Sequence, residues 1–165
     1  MSRRAALCML ALVACAVSGP AEARRGGGRD ARGFVVLEGE RVPVRWTDGD
    51  SFRIGAGRFA GRAGRLLGVN ALETFGPVHR IGAMTPARLL ALARETAPLA
   101  ASRAWRCDAD GTSDGYGRLL VHCPGASEAL VGAGHALVFA VDAPADAALL
   151  EVQRRAQAAR AGMWA

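Results

Sequence analysis

An α+β domain built on a small closed sheet is what this sequence predicts. Three features point that way. Short segments that alternate polar with apolar residues, punctuated by turn residues, fill the chain from residue 34 to residue 69. Longer segments with helical apolar spacing follow. No internal repeat and no second set of elements is visible in 165 residues, which fits one domain.

Phe34-Val35-Val36-Leu37 has strand character, and Gly39-Glu40 makes a turn. Arg41-Val42-Pro43-Val44-Arg45-Trp46 alternates as a half-buried strand should. Thr47-Asp48-Gly49-Asp50 is a turn signal, and Ser51-Phe52-Arg53-Ile54 alternates again. After Gly55-Ala56-Gly57 the chain is expected to pair back over 58–61, with a further strand over 65–69. Thr85-Pro86 reads as an N-cap with proline at the first helical position. Leu89, Leu90, Leu92 and Ala93 then follow on a helix expected to end near Pro98. A strand over 104–107, a polar loop over 108–117 and a returning strand over 118–123 come next. Ser127 is expected to cap a short helix through Ala133, and the last helix is expected over 144–160, with Gly162 ending it.

The N-terminus reads as an address. Ser2-Arg3-Arg4 is a short basic stretch, and 5–14 is an apolar run too short to span a bilayer but suited to a secretory leader. Two processing sites compete. Leu12-Val13-Ala14-Cys15 reads like a lipobox, with Cys15 as the lipidated residue and membrane anchoring as the consequence. Ala21-Glu22-Ala23 reads like an ordinary cleavage site. The expected organisation is a signal peptide over 1–23 (or ending at Cys15), a Gly- and Arg-rich tether over 24–33, and a folded domain over 34–165. Beyond the leader only Cys107 and Cys123 remain. An even pair in an exported chain predicts a disulfide, and the two cysteines can lie across from each other if 104–107 and 118–123 form a hairpin. No Cys/His spacing of the zinc type is present.

Charge adds a weaker hint. Lys+Arg is 21 against 15 for Asp+Glu, and every one of those cations is arginine. Coding bias toward Arg and Ala is the first explanation, although the guanidinium fork also suits phosphate oxygens, and charge alone does not choose between them.

Four fragments carry the chemistry. They are Asp48-Gly49-Asp50-Ser51, the stretch Arg65-Leu66-Leu67-Gly68-Val69-Asn70-Ala71-Leu72-Glu73, Asp114-Gly115-Tyr116-Gly117-Arg118, and the terminal Gly162-Met163-Trp164. Hydrolysis of a phosphodiester needs oxygen ligands for a hard metal ion, a base for water, and cations for the charge that builds on phosphoryl oxygens. Asp50, Glu73, Arg65 and Arg118 are residues of those kinds. Singly, each has a plain structural explanation, since an Asp-Gly-Asp turn is usually only a turn.

Their order and spacing make this chain resemble the staphylococcal-nuclease (thermonuclease) family from about Arg41 to Trp164. That family has an Asp-Gly-Asp-Thr turn, an arginine with a glutamate eight positions later, and Asp-x-Tyr-Gly-Arg. Ser127-Glu128-Ala129-Leu130-Val131 also resembles its Asn-Glu-Ala-Leu-Val helix. The resemblance implies a five-stranded OB-fold barrel with about three α-helices, and an exported, monomeric nuclease of DNA and RNA. Calcium or another hard divalent cation would be held by Asp50 and by Asn70. Glu73 would activate water, Arg65 and Arg118 would hold the scissile phosphate, and Tyr116 would contact a neighbouring phosphate or base. His79, six residues after Glu73, could face the cleft and assist proton transfer, while His122 and His135 are read as structural.

The chain departs from the family in three places. Asn70 stands where the family has a metal-ligating aspartate, Ala71-Leu72 replaces Thr-Pro, and Leu137, Val138, Phe139 and Ala140 stand where tyrosines are usual. These departures favour an alternative: an inactive thermonuclease-like OB-fold that binds nucleic acid, or an envelope lipoprotein module.

Overall fold

The computed structural model describes residues 31–75, 80–141 and 144–165. The cleavage sites, Cys15 and His79 therefore lie outside the described residues. The domain is α+β, as expected: three helices accompany a curled, mixed sheet that forms a half-barrel.

Five strands precede the first helix. They are β1 (Ala31–Leu37), β2 (Glu40–Trp46), β3 (Ser51–Ile54), β4 (Ala63–Leu66) and β5 (Val69–Ala71). Helix α1 (Pro86–Ala100) leads to β6 (Trp105–Cys107) and β7 (Leu119–Val121). Then come α2 (Pro124–Gly132), β8 (Ala136–Val138), α3 (Ala147–Ala158) and a closing 3-10 turn, Gly162–Trp164. The main sheet has the order β6-β1-β2-β3-β4-β7, with its inner ladders antiparallel and both outermost ladders parallel. Six strands stand where five were expected, and β5 leaves the sheet to pair with β8 as a separate ribbon.

Alternation places the core. Val42, Val44 and Trp46 of β2, Phe52 and Ile54 of β3, and Leu66 of β4 all point inward and are buried. Trp46 and Phe52 meet with ring centroids 4.5 Å apart in a tilted arrangement that aromatic pairs favour. Gly64 sits where a Cβ would strike the Phe52 ring, so that position requires glycine. A second cluster joins Leu72 to Leu89, Leu92 and Ala93 of α1 and to Met163 of the closing turn.

The two edge strands, β6 and β7, are not a simple hairpin. They meet at one antiparallel bridge, where Asp108 and His122 exchange both backbone hydrogen bonds at 2.9 Å. Cys107 and Cys123 are the next pair outward, and they form the expected disulfide with 4.3 Å between Cα atoms. Both cysteines are buried. Closing that loop contributes about 3 kcal/mol in the chain-entropy account.

Several boundaries differ from expectation. Residues 58–61 are a turn, and β4 starts at Ala63. Helix α1 runs through Pro98 to Ala100, because in a last turn proline forfeits only one hydrogen bond. Helix α2 starts at Pro124 with Cys123 as its N-cap residue, so Ser127 is a buried helix residue rather than a cap. Proline at the first helical position is the stronger signal here. Asp146 caps α3, accepting from the Leu149 N–H at 2.9 Å, which shortens the helix expected over 144–160.

Candidate functional site

The acidic turn between β2 and β3 is built from within. Asp48 Oδ1 accepts from the N–H groups of Asp50 and Ser51 at 3.0 and 2.7 Å, an Asx turn that fixes the backbone. Gly49 allows the turn to press inward, since a Cβ there would lie within 3.1 Å of Thr96, Ala71 and Leu130 side-chain atoms. Asp48 and Asp50 are both buried. Burial pushes the Asp48 carboxyl up to about 7, and the charge of Asp50 adds to the rise. The motif alone assigns Asp48 no role. In the fold, its accepting oxygen is what holds Asp50 in place.

The Asp50 carboxylate is fully engaged. Oδ1 pairs with Arg65 Nη1 and accepts from Ser51 Oγ at 2.9 Å. Oδ2 accepts from the Ala71 N–H at 2.6 Å. Arg65 reaches further through Nη2, which donates to Asn70 Oδ1 at 2.8 Å and to the Val69 carbonyl at 3.1 Å. One guanidinium thus sits among a carboxylate, an amide oxygen and a backbone carbonyl. Of the expected residues, Asp50, Arg65 and Asn70 are brought into direct contact.

Glu73 follows two residues beyond Ala71, just past the Leu72 N–H that donates to the His135 carbonyl at 2.9 Å. Glu73 is half-buried and makes no hydrogen bond or ion pair among the described residues. Arg118 stands one residue before β7. The β4–β7 register pairs Gly64 with Leu119 and Arg65 with Leu120, so one step back sets Arg118 beside Ala63. Gly64 and Leu119 point into the core, so Arg118 and Ala63 lie on the outer face, as does Arg65.

Arg118 belongs to a self-contained turn. Asp114 Oδ1 accepts from the N–H groups of Tyr116 and Arg118, both at 2.9 Å, and Asp114 Oδ2 accepts from Arg118 Nε at 2.7 Å. Gly117 closes the turn with φ +77°, a conformation that favours glycine. Burial pulls the Asp114 carboxyl upward, but the hydrogen bonds and charge of Arg118, with the Tyr116 N–H, outweigh it and hold the group below the usual carboxylate range. Tyr116 is 89% exposed, and the Arg118 guanidinium lies 5.5 Å from its ring centre. The two Nη groups of Arg118 make no hydrogen bond among the described residues.

A divalent cation does not fit these residues as they stand. Calcium takes six to eight oxygens and gains most from carboxylates. Here the oxygens of Asp50, Asn70 and Val69 already surround a cation, the Arg65 guanidinium, and only one of the three residues carries charge. An ion would have to displace Arg65. Among the described residues no group of three or more His, Cys, Asp or Glu side chains is placed to hold a metal.

Neither His122 nor the His135 side chain joins this cluster among the described residues, although the His135 carbonyl accepts from the Leu72 N–H. His135 is buried against Glu95, with 3.8 Å between Nε2 and Oε2, and burial lowers its pKa more than Glu95 raises it. His122 lines a hollow of about 420 Å³ together with Glu38, Asp108 and Asp110. That hollow contains none of the expected site residues, and its acidic lining is unsuited to phosphate.

No protein-family model matches this chain, and no curated protein matches it either.

Proposed function

We propose that the chain is an exported hydrolase of phosphodiester bonds in DNA and RNA, built on an OB-type barrel of the thermonuclease kind. The observation that supports this reading is the buried meeting of Asp50, Arg65 and Asn70, on strands whose register sets Arg118 on the same outer face. The free Nη edge of Arg118 is suited to two phosphate oxygens and to the charge that builds on them. Glu73 is the carboxylate available to orient or deprotonate water, since both oxygens of Asp50 already hold protein partners. Arg65 adds positive charge from below, and exposed Tyr116 offers a ring to a base or sugar. The buried disulfide supports export to an oxidising compartment.

Digestion of a fluorogenic oligonucleotide by the purified protein tests the proposal, in calcium and in EDTA. Wild type should digest it, and Glu73→Gln should lower the rate by about a hundredfold or more. Equal rates for the two would remove Glu73 from the mechanism. The two solution conditions also test the calcium expectation. A strict requirement for calcium would contradict the arrangement in which Arg65 is the cation beside Asp50, whereas equal rates would support it.

A second reading, binding without turnover, is favoured by the protein-bound Asp50 and by the neutral Asn70. Oligonucleotide binding with no digestion in either condition would select it.

A further inference from the structure

The pairing register lines up arginines that the sequence keeps far apart. Arg32 of β1 lies opposite Arg45 of β2, and Arg45 lies opposite Arg53 of β3. Arg53 lies opposite Ala63 of β4, whose other neighbour, one step back along the β4–β7 ladder, is Arg118. Paired residues share a face, so one row across the outer surface reads Arg32, Arg45, Arg53, Ala63, Arg118. Neighbouring strands are about 4.8 Å apart, which makes the row about 19 Å long.

The rest of that face is equally one-sided. The outward positions of β1 to β4 also hold Phe34, Val36, Arg41, Pro43, Ser51 and Arg65, with no carboxylate among them. Arg41 stacks over the exposed Phe34 ring at 3.6 Å. The acids Glu38, Asp108 and Asp110 line the hollow at the opposite rim, beyond Leu37 and Cys107. Like charges set directly across two strands repel one another. Arg45 has an interaction of its own within the chain. Arg32 and Arg53, on either side of it, are exposed, and Arg53 donates only to a neutral acceptor, the Gly61 carbonyl at 2.7 Å.

We propose that this row is a track for the phosphate backbone of a nucleic-acid strand, which it delivers to Arg118. Arg32 and Arg53 supply exposed positive charge, and past Ala63 the row leads to the one guanidinium of the candidate site whose terminal nitrogens are free among the described residues. The occupant's chemistry rests on the nuclease reading of the site, whereas the track itself rests on the register.

The test is binding of a labelled single-stranded oligonucleotide, followed by fluorescence anisotropy across a salt series. Arg32→Gln/Arg53→Gln should bind about tenfold or more weakly at low salt, with a salt slope shallower by about 1.4, or about 0.7 for each phosphate no longer neutralised. Each single variant should show about half of that slope change. Arg32→Lys/Arg53→Lys should keep the wild-type slope, which separates charge from fold. Arg154→Gln/Arg155→Gln, which removes the same charge from α3, should leave the slope unchanged. A glutamine double variant that matches either wild type or the α3 control would overturn the track. So would heparin retention that depends on the row when the oligonucleotide is not bound at all. Binding that weakens with the row, with no cleavage by wild type, would defeat the nuclease reading and keep the track. Cleavage by wild type with binding indifferent to the row would do the reverse.

Discussion

Asp50–Arg65 and Asp114–Arg118 are both carboxylate–guanidinium pairs, yet the fold uses them in opposite ways. Side chains of the first pair are 13% exposed for Arg65 and 3% for Asp50. That pair links the β2–β3 turn, β4 and β5, and every oxygen around the guanidinium belongs to the protein. The second pair joins residues four apart in one turn, with Arg118 32% exposed and Asp114 18%. There the carboxylate fixes Nε and leaves the far edge of the guanidinium to solvent. The same two chemical groups thus hold the domain together in one place and present a cation in the other. Burial, rather than residue type, decides which.

The buried pair offers the largest effect. Asp50→Ala strands a buried guanidinium and frees the Ala71 N–H, so it should cost about 3–5 kcal/mol in urea unfolding. A cost below about 1 kcal/mol would mean that the pair holds nothing together.

A smaller effect concerns pH. The Asp48 carboxyl is raised from its ordinary 3.8 to about 7. A raised folded value means that the native state holds the proton more tightly. Its contribution is therefore complete below about pH 4 and is lost as pH rises through about 7. Stability should fall between about pH 4 and about pH 7, and Asp48→Asn, which keeps the accepting oxygen, should flatten that decline. An unchanged profile in the variant would assign the pH dependence to other groups. The smallest effect belongs to the exposed pair: Asp114→Ala should cost about 1 kcal/mol, because the turn gives up local hydrogen bonds while the core stays intact. A cost as large as that of Asp50→Ala would erase the contrast between the two pairs.

Much of the sheet is legible in the sequence because alternation is a local signal. Val42, Val44 and Trp46 announce their strand without knowledge of any partner. The three-residue β8 is hidden for the opposite reason: Ala136, Leu137 and Val138 become a strand only against Val69, Asn70 and Ala71. At the start of α2, Ser127 and Pro124 give competing signals, and the proline marks the true boundary. Within the site, spacing singles out Asp50, Arg65 and Glu73, but the contact of the Arg65 guanidinium with Asp50 and Asn70 emerges only in the fold. The arginine row is invisible for the same physical reason as β8. Arg32, Arg45 and Arg53 are ordinary positions until pairing register sets them side by side.

Under the proposed function, Arg118 serves the substrate while Arg65 mainly serves the fold. Oligonucleotide hydrolysis by Arg118→Ala, measured alongside its urea midpoint, tests that division most directly. The expected result is a rate lower by about a hundredfold or more, with stability within about 1 kcal/mol of wild type. Hydrolysis at the wild-type rate, or a rate that falls only as the protein unfolds, would contradict it.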